Sequence, residues 1–181
     1  MSYLHDVLFR QASIQEVTAL VDIYPWKNGT EGSPFGTGSL NNEYPEFKRL
    51  GAILGDVFFT LMRRVYLSYL PPSVRVWSFL ASWDRGTPIL GTFHTSDLPR
   101  VFYNTDDASL AIQDRYIAFA SSTDPNDGVP WAPAGFKTHW PQWHESRQLM
   151  DFGANATGLI KDDFRDASFK FIASHMKTLQ F

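Results

Sequence analysis

The sequence predicts an α/β chain, a strand or two set among long amphipathic helices. Three features predict it. From about Glu46 to Tyr69, apolar residues recur at spacings of three and four, the repeat of a helix with one buried face. Val74 to Ala81 is β-branched and aromatic, and short, which is the pattern of a buried strand. Hydrophobic residues make up 44% of the 181, enough for a sizeable core in one domain, and charged residues only 19%.

In chain order, Ser13-Ile14-Gln15-Glu16 reads as a capping box, with Val17, Leu20 and Val21 as the buried face of a short helix ending at Tyr24-Pro25. Residues 28–45 carry four glycines and two prolines and read as a loop. The long helix follows, with Phe47, Leu50, Leu54, Val57, Phe58, Leu61, Met62 and Val65 on one face. Gly51 and Gly55, one turn apart, imply close packing against a neighbouring element. Pro71-Pro72 stops this helix, and the strand comes next. Asp84 to Pro88 has turn chemistry, and residues 89–97 continue as a loop. Ser109 to Ala120 is a second helix, and 122–145 is irregular and rich in proline and tryptophan. Leu149 to Phe152 reads as a short final strand, and Lys161 to Met176 as a last helix.

Composition excludes several function classes. The net charge of −3 leaves nothing to neutralise many phosphates, so nucleic acid is not an expected partner. With no cysteine, disulfides, cysteine nucleophiles and thiolate metal sites are excluded. His139 and His144 are spaced wrongly to share a helix face, so no metal is expected, and no glycine-rich nucleotide loop follows a strand, so no cofactor either. The first residues show no signal peptide, and no apolar run is long enough to span a membrane. The 15 Phe, 7 Tyr and 6 Trp suit a chain that buries much of its surface, in itself or against something else.

Among catalytic arrangements, no Gly-x-Ser-x-Gly elbow occurs; Gly32-Ser33-Pro34-Phe35-Gly36 has its serine one place early. His94 lies in a loop after the predicted strand. That is where α/β sheets gather their chemistry, and a histidine there can be a general base. Equally, it can be an ordinary loop histidine bonded to its neighbours.

Ile89-Leu90-Gly91-Thr92-Phe93-His94-Thr95-Ser96-Asp97-Leu98 resembles the catalytic-histidine loop of type-B carboxylesterases, in particular the fungal lipases of that α/β-hydrolase family. Other segments agree in order: Gly32 to Phe35, Pro45 to Arg49, Leu54-Gly55-Asp56, Phe59-Thr60-Leu61, Arg63-Arg64, Phe119-Ala120 with Asp124-Pro125-Asn126, Trp140-Pro141, and Lys161 to Arg165. The resemblance runs from about Tyr3 to Phe171 and implies a single partial domain over 1–181, the C-terminal part of an α/β-hydrolase, with one or two terminal strands and packed helices. It implies a Ser–Glu (or Asp)–His triad of which only His94 is here; the serine, the acid and the oxyanion-hole glycines belong to a missing N-terminal part. Thr95 stands where many members have glycine, and Asp97 is expected to be structural. Phe59 matches a position lining the acyl-chain tunnel, although a place in the ordinary core is as good a reading of it.

The resemblance therefore implies a carboxylic ester hydrolase acting on lipophilic esters, secreted as the parent enzyme, and inactive as this chain alone. An alternative is a non-catalytic lipid-binding or partner-binding protein derived from that family. A weaker one is residual esterase activity from His94 as a bare base. Asn28-Gly29-Thr30 and Asn155-Ala156-Thr157 are glycosylation sequons.

Overall fold

The structure is a computed structural model that describes residues 1–25, 34–84, 86–128 and 132–180. Its helices are α1 (Ile14–Ile23), α2 (Phe47–Gly55), α3 (Leu61–Tyr69), α4 (Leu98–Phe102), α5 (Asp107–Ser122), α6 (Trp143–Ser146) and α7 (Asp166–Ser174), and its strands β1 (Phe79–Ala81), β2 (Gln148–Phe152) and β3 (Thr157–Lys161). The α/β class is as expected. The chain divides into two compact units, Met1–Leu70 with Phe164–Phe181, and Pro71–Asp163.

The first unit is helical. The capping box forms as read: Ser13 Oγ accepts from the Glu16 backbone N–H at 3.2 Å, and the Ser13 N–H donates to Glu16 Oε2 at 2.7 Å. Val17 and Leu20 of α1 then enter a core with Ile53, Val57, Leu61, Val65 and Ile172. The expected long helix is two α-helices joined through a π-helical turn, Asp56–Thr60. The buried residues Ile53, Val57, Leu61 and Val65 repeat every fourth position. Four residues overshoot a turn of about 3.6, so such a stripe drifts round a pure α-helix; the wider π turn takes up part of the drift. Gly51 and Gly55 do not mark close packing, since a Cβ at either would meet no atom within 4 Å.

The π turn also delivers Asp56 into the core. Its carboxylate is fully buried, accepts from the Tyr24 hydroxyl at 2.8 Å and pairs with Arg165 at 2.6 Å. Burial pushes the Asp56 carboxyl up, against the pull of Arg165, and pushes the Tyr24 phenol up as well. Arg165 has φ +54° and immediately precedes α7. The last helix therefore starts at Asp166 rather than Lys161, which is the final residue of β3.

The second unit holds a sheet in the order β1-β2-β3, with β1 parallel to β2 (Phe79 opposite Met150) and β2 antiparallel to β3 (Gln148 opposite Lys161). β1 is shorter than the predicted Val74–Ala81, and the Val76 carbonyl is used outside the sheet, accepting from Trp143 N–H. β3 escaped the sequence reading. It follows β2 through a turn in which Gly153 is needed, since a Cβ there would stand 3.0 Å from Ala156 O. Trp83, Ile112, Trp140, Met150 and Phe152 form the core, with Trp140 edge-on to Phe152 at 5.6 Å between centroids.

The irregular 122–145 region contains a 3₁₀ turn at Ala134–Phe136 and α6, and is tied by side chains. Buried Arg115 donates to Pro125 O at 3.1 Å, Asn126 Oδ1 at 2.8 Å and Thr138 O at 2.7 Å. Asn126 in turn exchanges two hydrogen bonds with the Trp140 backbone, at 2.9 and 2.8 Å. The Asp124-Pro125-Asn126 segment thus fixes where Trp140 enters the core.

Candidate functional site

β1 ends at Ala81 and the chain passes through buried Trp83 into the loop that carries His94. β1 lies at a sheet edge, with β2 its strand neighbour among the described residues. The loop is held near its start by Thr92 Oγ1–H donating to Trp83 O at 2.7 Å, and by Gly91 N–H donating to Thr87 O at 2.8 Å. Around His94 the backbone folds into successive turns, with Ser96 N–H on Phe93 O and Leu98 N–H on Thr95 O, both at 3.0 Å. Leu98 then opens α4. Ile89, Gly91 and Thr95 lie at φ +65°, +58° and +74°. Only this left-handed backbone makes the turns so tight, and it is costly for the β-branched Ile89 and Thr95. The result presents His94 on the surface, beside buried Ser96.

A cationic clamp that the sequence reading missed closes this loop. Arg100 on α4 meets Asp84 through one guanidinium edge, NH2 to Oδ1 at 2.9 Å and Nε to Oδ2 at 3.3 Å, and its NH1 donates to Asp106 at 3.0 Å. It also lies over the Trp83 ring, 5.0 Å from the centroid. These partners hold the Arg100 guanidinium still more firmly protonated than usual, the Asp84 hydrogen bond first. Asp106 caps α5, accepting from the Ser109 N–H and hydroxyl at 3.2 and 2.8 Å. Asp106-x-x-Ser109 was the available sequence signal, but nothing in sequence joins it to Arg100.

Phe59 sits on the π turn of the other unit, 52% exposed, so it does not face that unit's core. Asn155 is exposed in the turn between β2 and β3. Asn28 and the Gly32-Ser33 pair lie outside the described residues. A second serine–histidine pair, Ser174 Oγ and His175 Nδ1 at 2.9 Å, ends α7; both groups also lie 2.9 Å from Phe171 O. A ring nitrogen that donates to that carbonyl cannot accept a serine proton, so this pair caps a helix end. Among the described residues no three His, Asp or Glu side chains are placed to hold a metal ion, and no helix is long and apolar enough to cross a membrane.

The class follows from a comparison of folds. The crystal structure of Aspergillus niger EstA superposes with a TM-score of 0.72 at 18% identity, covering 96% of this chain and 35% of that one. The chain thus has the fold of part of that esterase structure. Sequence makes the kinship specific: the chain is homologous to the fungal secreted lipases of the type-B carboxylesterase family. It is 46% identical to a secreted triacylglycerol lipase of Gibberella zeae over 99% of its length, and 42% identical to a secreted lipase of Botryotinia fuckeliana over 97%. A lipase of Diutina rugosa is 39% identical over 89%. The chain spans about 30% of the length of these relatives. No family model matches the chain.

Proposed function

We propose that this chain is the histidine-bearing part of a secreted ester hydrolase acting on lipophilic esters, a single partial domain completed by the rest of the polypeptide that its relatives have. His94 is its general base and acid. It takes the proton from a serine hydroxyl as that oxygen attacks the ester carbonyl, and returns it to the leaving alcohol. The serine, the carboxylate that orients the imidazole and the oxyanion donors come from the missing part. The observation that carries this reading is the placement of His94, exposed on a tight turn in the loop that leaves the carboxyl end of β1. Phe59, aromatic and half exposed, lines the path of the acyl chain. Asn28 and Asn155 are acceptors for glycans on the secreted enzyme. The 181 residues alone lack the nucleophile and hydrolyse no ester.

The test is to join this chain to the N-terminal part of the Gibberella zeae lipase, in place of that lipase's own matching segment, and to assay a long-chain ester. The joined enzyme hydrolyses it and the free chain does not. His94→Ala lowers kcat by about 10³-fold or more, the scale on which triad members are missed. A joined enzyme that folds and works equally well with His94→Ala would end the reading.

A further inference from the structure

We propose that Arg100 is a positioning residue for His94, fixing the base through the frame of its loop rather than by touching it. This inference rests on the general-base reading of His94. The geometry is that of a neck. Asp84 stands just past β1, where the loop begins; Arg100 lies on α4, where the loop ends, and Asp106 stands beyond α4 at the cap of α5. One guanidinium reaches both, at 2.9 and 3.0 Å, while Trp83 floors it. The remaining Arg100 polar group is used too: its carbonyl accepts from Gln113 Nε2 at 2.7 Å, and the same amide donates to Asn104 O at 2.8 Å. The loop's two ends, α4 and α5 therefore share one node.

From that node to His94 the connection is short and hydrogen-bonded. Val101 N–H donates to Asp97 O at 2.9 Å, Leu98 N–H to Thr95 O at 3.0 Å and Ser96 N–H to Phe93 O at 3.0 Å, so consecutive turns bracket the histidine. With Ile89 and Thr95 left-handed, the loop holds a shape that these two β-branched residues disfavour. Something must over-determine it, and the node at Arg100 is what the loop's ends meet. Lysine cannot substitute. A single ammonium offers no fork to span Asp84 while reaching Asp106 and covering the Trp83 ring.

The test reads His94 directly. In the joined enzyme, the imidazole Cε1–H resonance of His94 is assigned by its loss in His94→Gln and followed by NMR in Arg100→Lys. The expected result is a shifted and broadened or split His94 signal, with those of His144 and His175 unmoved. In the joined enzyme, Arg100→Lys lowers kcat by about 10- to 100-fold, the scale of a slightly misplaced catalytic group, with KM within about twofold. If Arg100→Lys does not fold, Asp84→Asn and Asp106→Asn each remove one limb, and each must perturb the same resonance. A His94 signal unchanged in Arg100→Lys, or in either aspartate variant, overturns the proposal and leaves the general-base reading standing. A joined enzyme indifferent to His94→Ala removes that reading instead, whatever the resonance does.

Discussion

Thr95 pays the most conspicuous local cost in the site, a β-branched residue at φ +74° directly after the candidate base. Backbone strain of this kind is worth about 1–3 kcal/mol. Glycine accepts the conformation freely but loses more entropy on folding, by roughly 0.5–1 kcal/mol. Thr95→Gly therefore stabilises the chain by a net of about 1 kcal/mol within a range of roughly 0–2.5, read as a raised midpoint in urea unfolding. A lowered midpoint would mean that Thr95 makes a compensating contact worth more than its strain. At this scale the site was half legible. The string from Ile89 to Leu98 is distinctive enough to single out His94. Arg100 is invisible beforehand, because its two carboxylates lie 16 positions before and 6 after it, and only the fold brings them to one point.

At the scale of elements, legibility followed local chemistry. The capping box of α1 is decided by Ser13 and Glu16 alone, so it formed as read. The stripe through α2 and α3 was also readable, but the π turn was not, since an every-fourth repeat is equally compatible with a drifting α-helix. β3 was missed for a related reason. Thr157 is buried, but Leu159 is exposed, so no alternation marks the strand, and its existence depends on pairing with β2. The cap of α5 gives a prediction that belongs here. Burial works against the Asp106 charge, but hydrogen bonds from Ser109 and the Arg100 guanidinium outweigh it and hold the carboxyl below the ordinary carboxylate range. A depressed acid stabilises the fold above its unfolded pKa of about 3.9, and that contribution is lost as pH falls through the lower folded value. Asp106→Ala should thus cost about 1 kcal/mol near pH 7, the usual value of a cap. The gap to the unsubstituted chain narrows as pH falls below the unfolded value of about 3.9, as followed by thermal unfolding at each pH. An equal gap at every pH would show that the carboxylate charge contributes nothing.

At the scale of the whole molecule, what stands out is how much large apolar surface meets solvent. In the second unit alone, Leu90 is 58%, Phe102 68% and Tyr103 81% exposed, and Ile117 on α5 is 66% exposed. A sheet edge at β1 adds backbone groups that pair readily with another strand. Single apolar residues are ordinary on protein surfaces, but this many large ones in a unit that also has an edge strand suit a surface that is covered by something else. The chain spans about 30% of the length of these relatives, and the function proposed above gives that cover to the rest of the polypeptide. Held alone in solution, the chain should bind an apolar dye such as ANS and sediment with a mass that rises with concentration. Co-expressed with the N-terminal part of the Gibberella zeae lipase as a separate polypeptide, it should lose both properties and co-purify at one-to-one stoichiometry. A lone chain that stays monomeric, binds no dye and ignores the added polypeptide would mean that these surfaces need no cover. The fold would then be self-sufficient, and the ester-hydrolase kinship would describe the chain's ancestry, with its present role that of a non-catalytic binding protein.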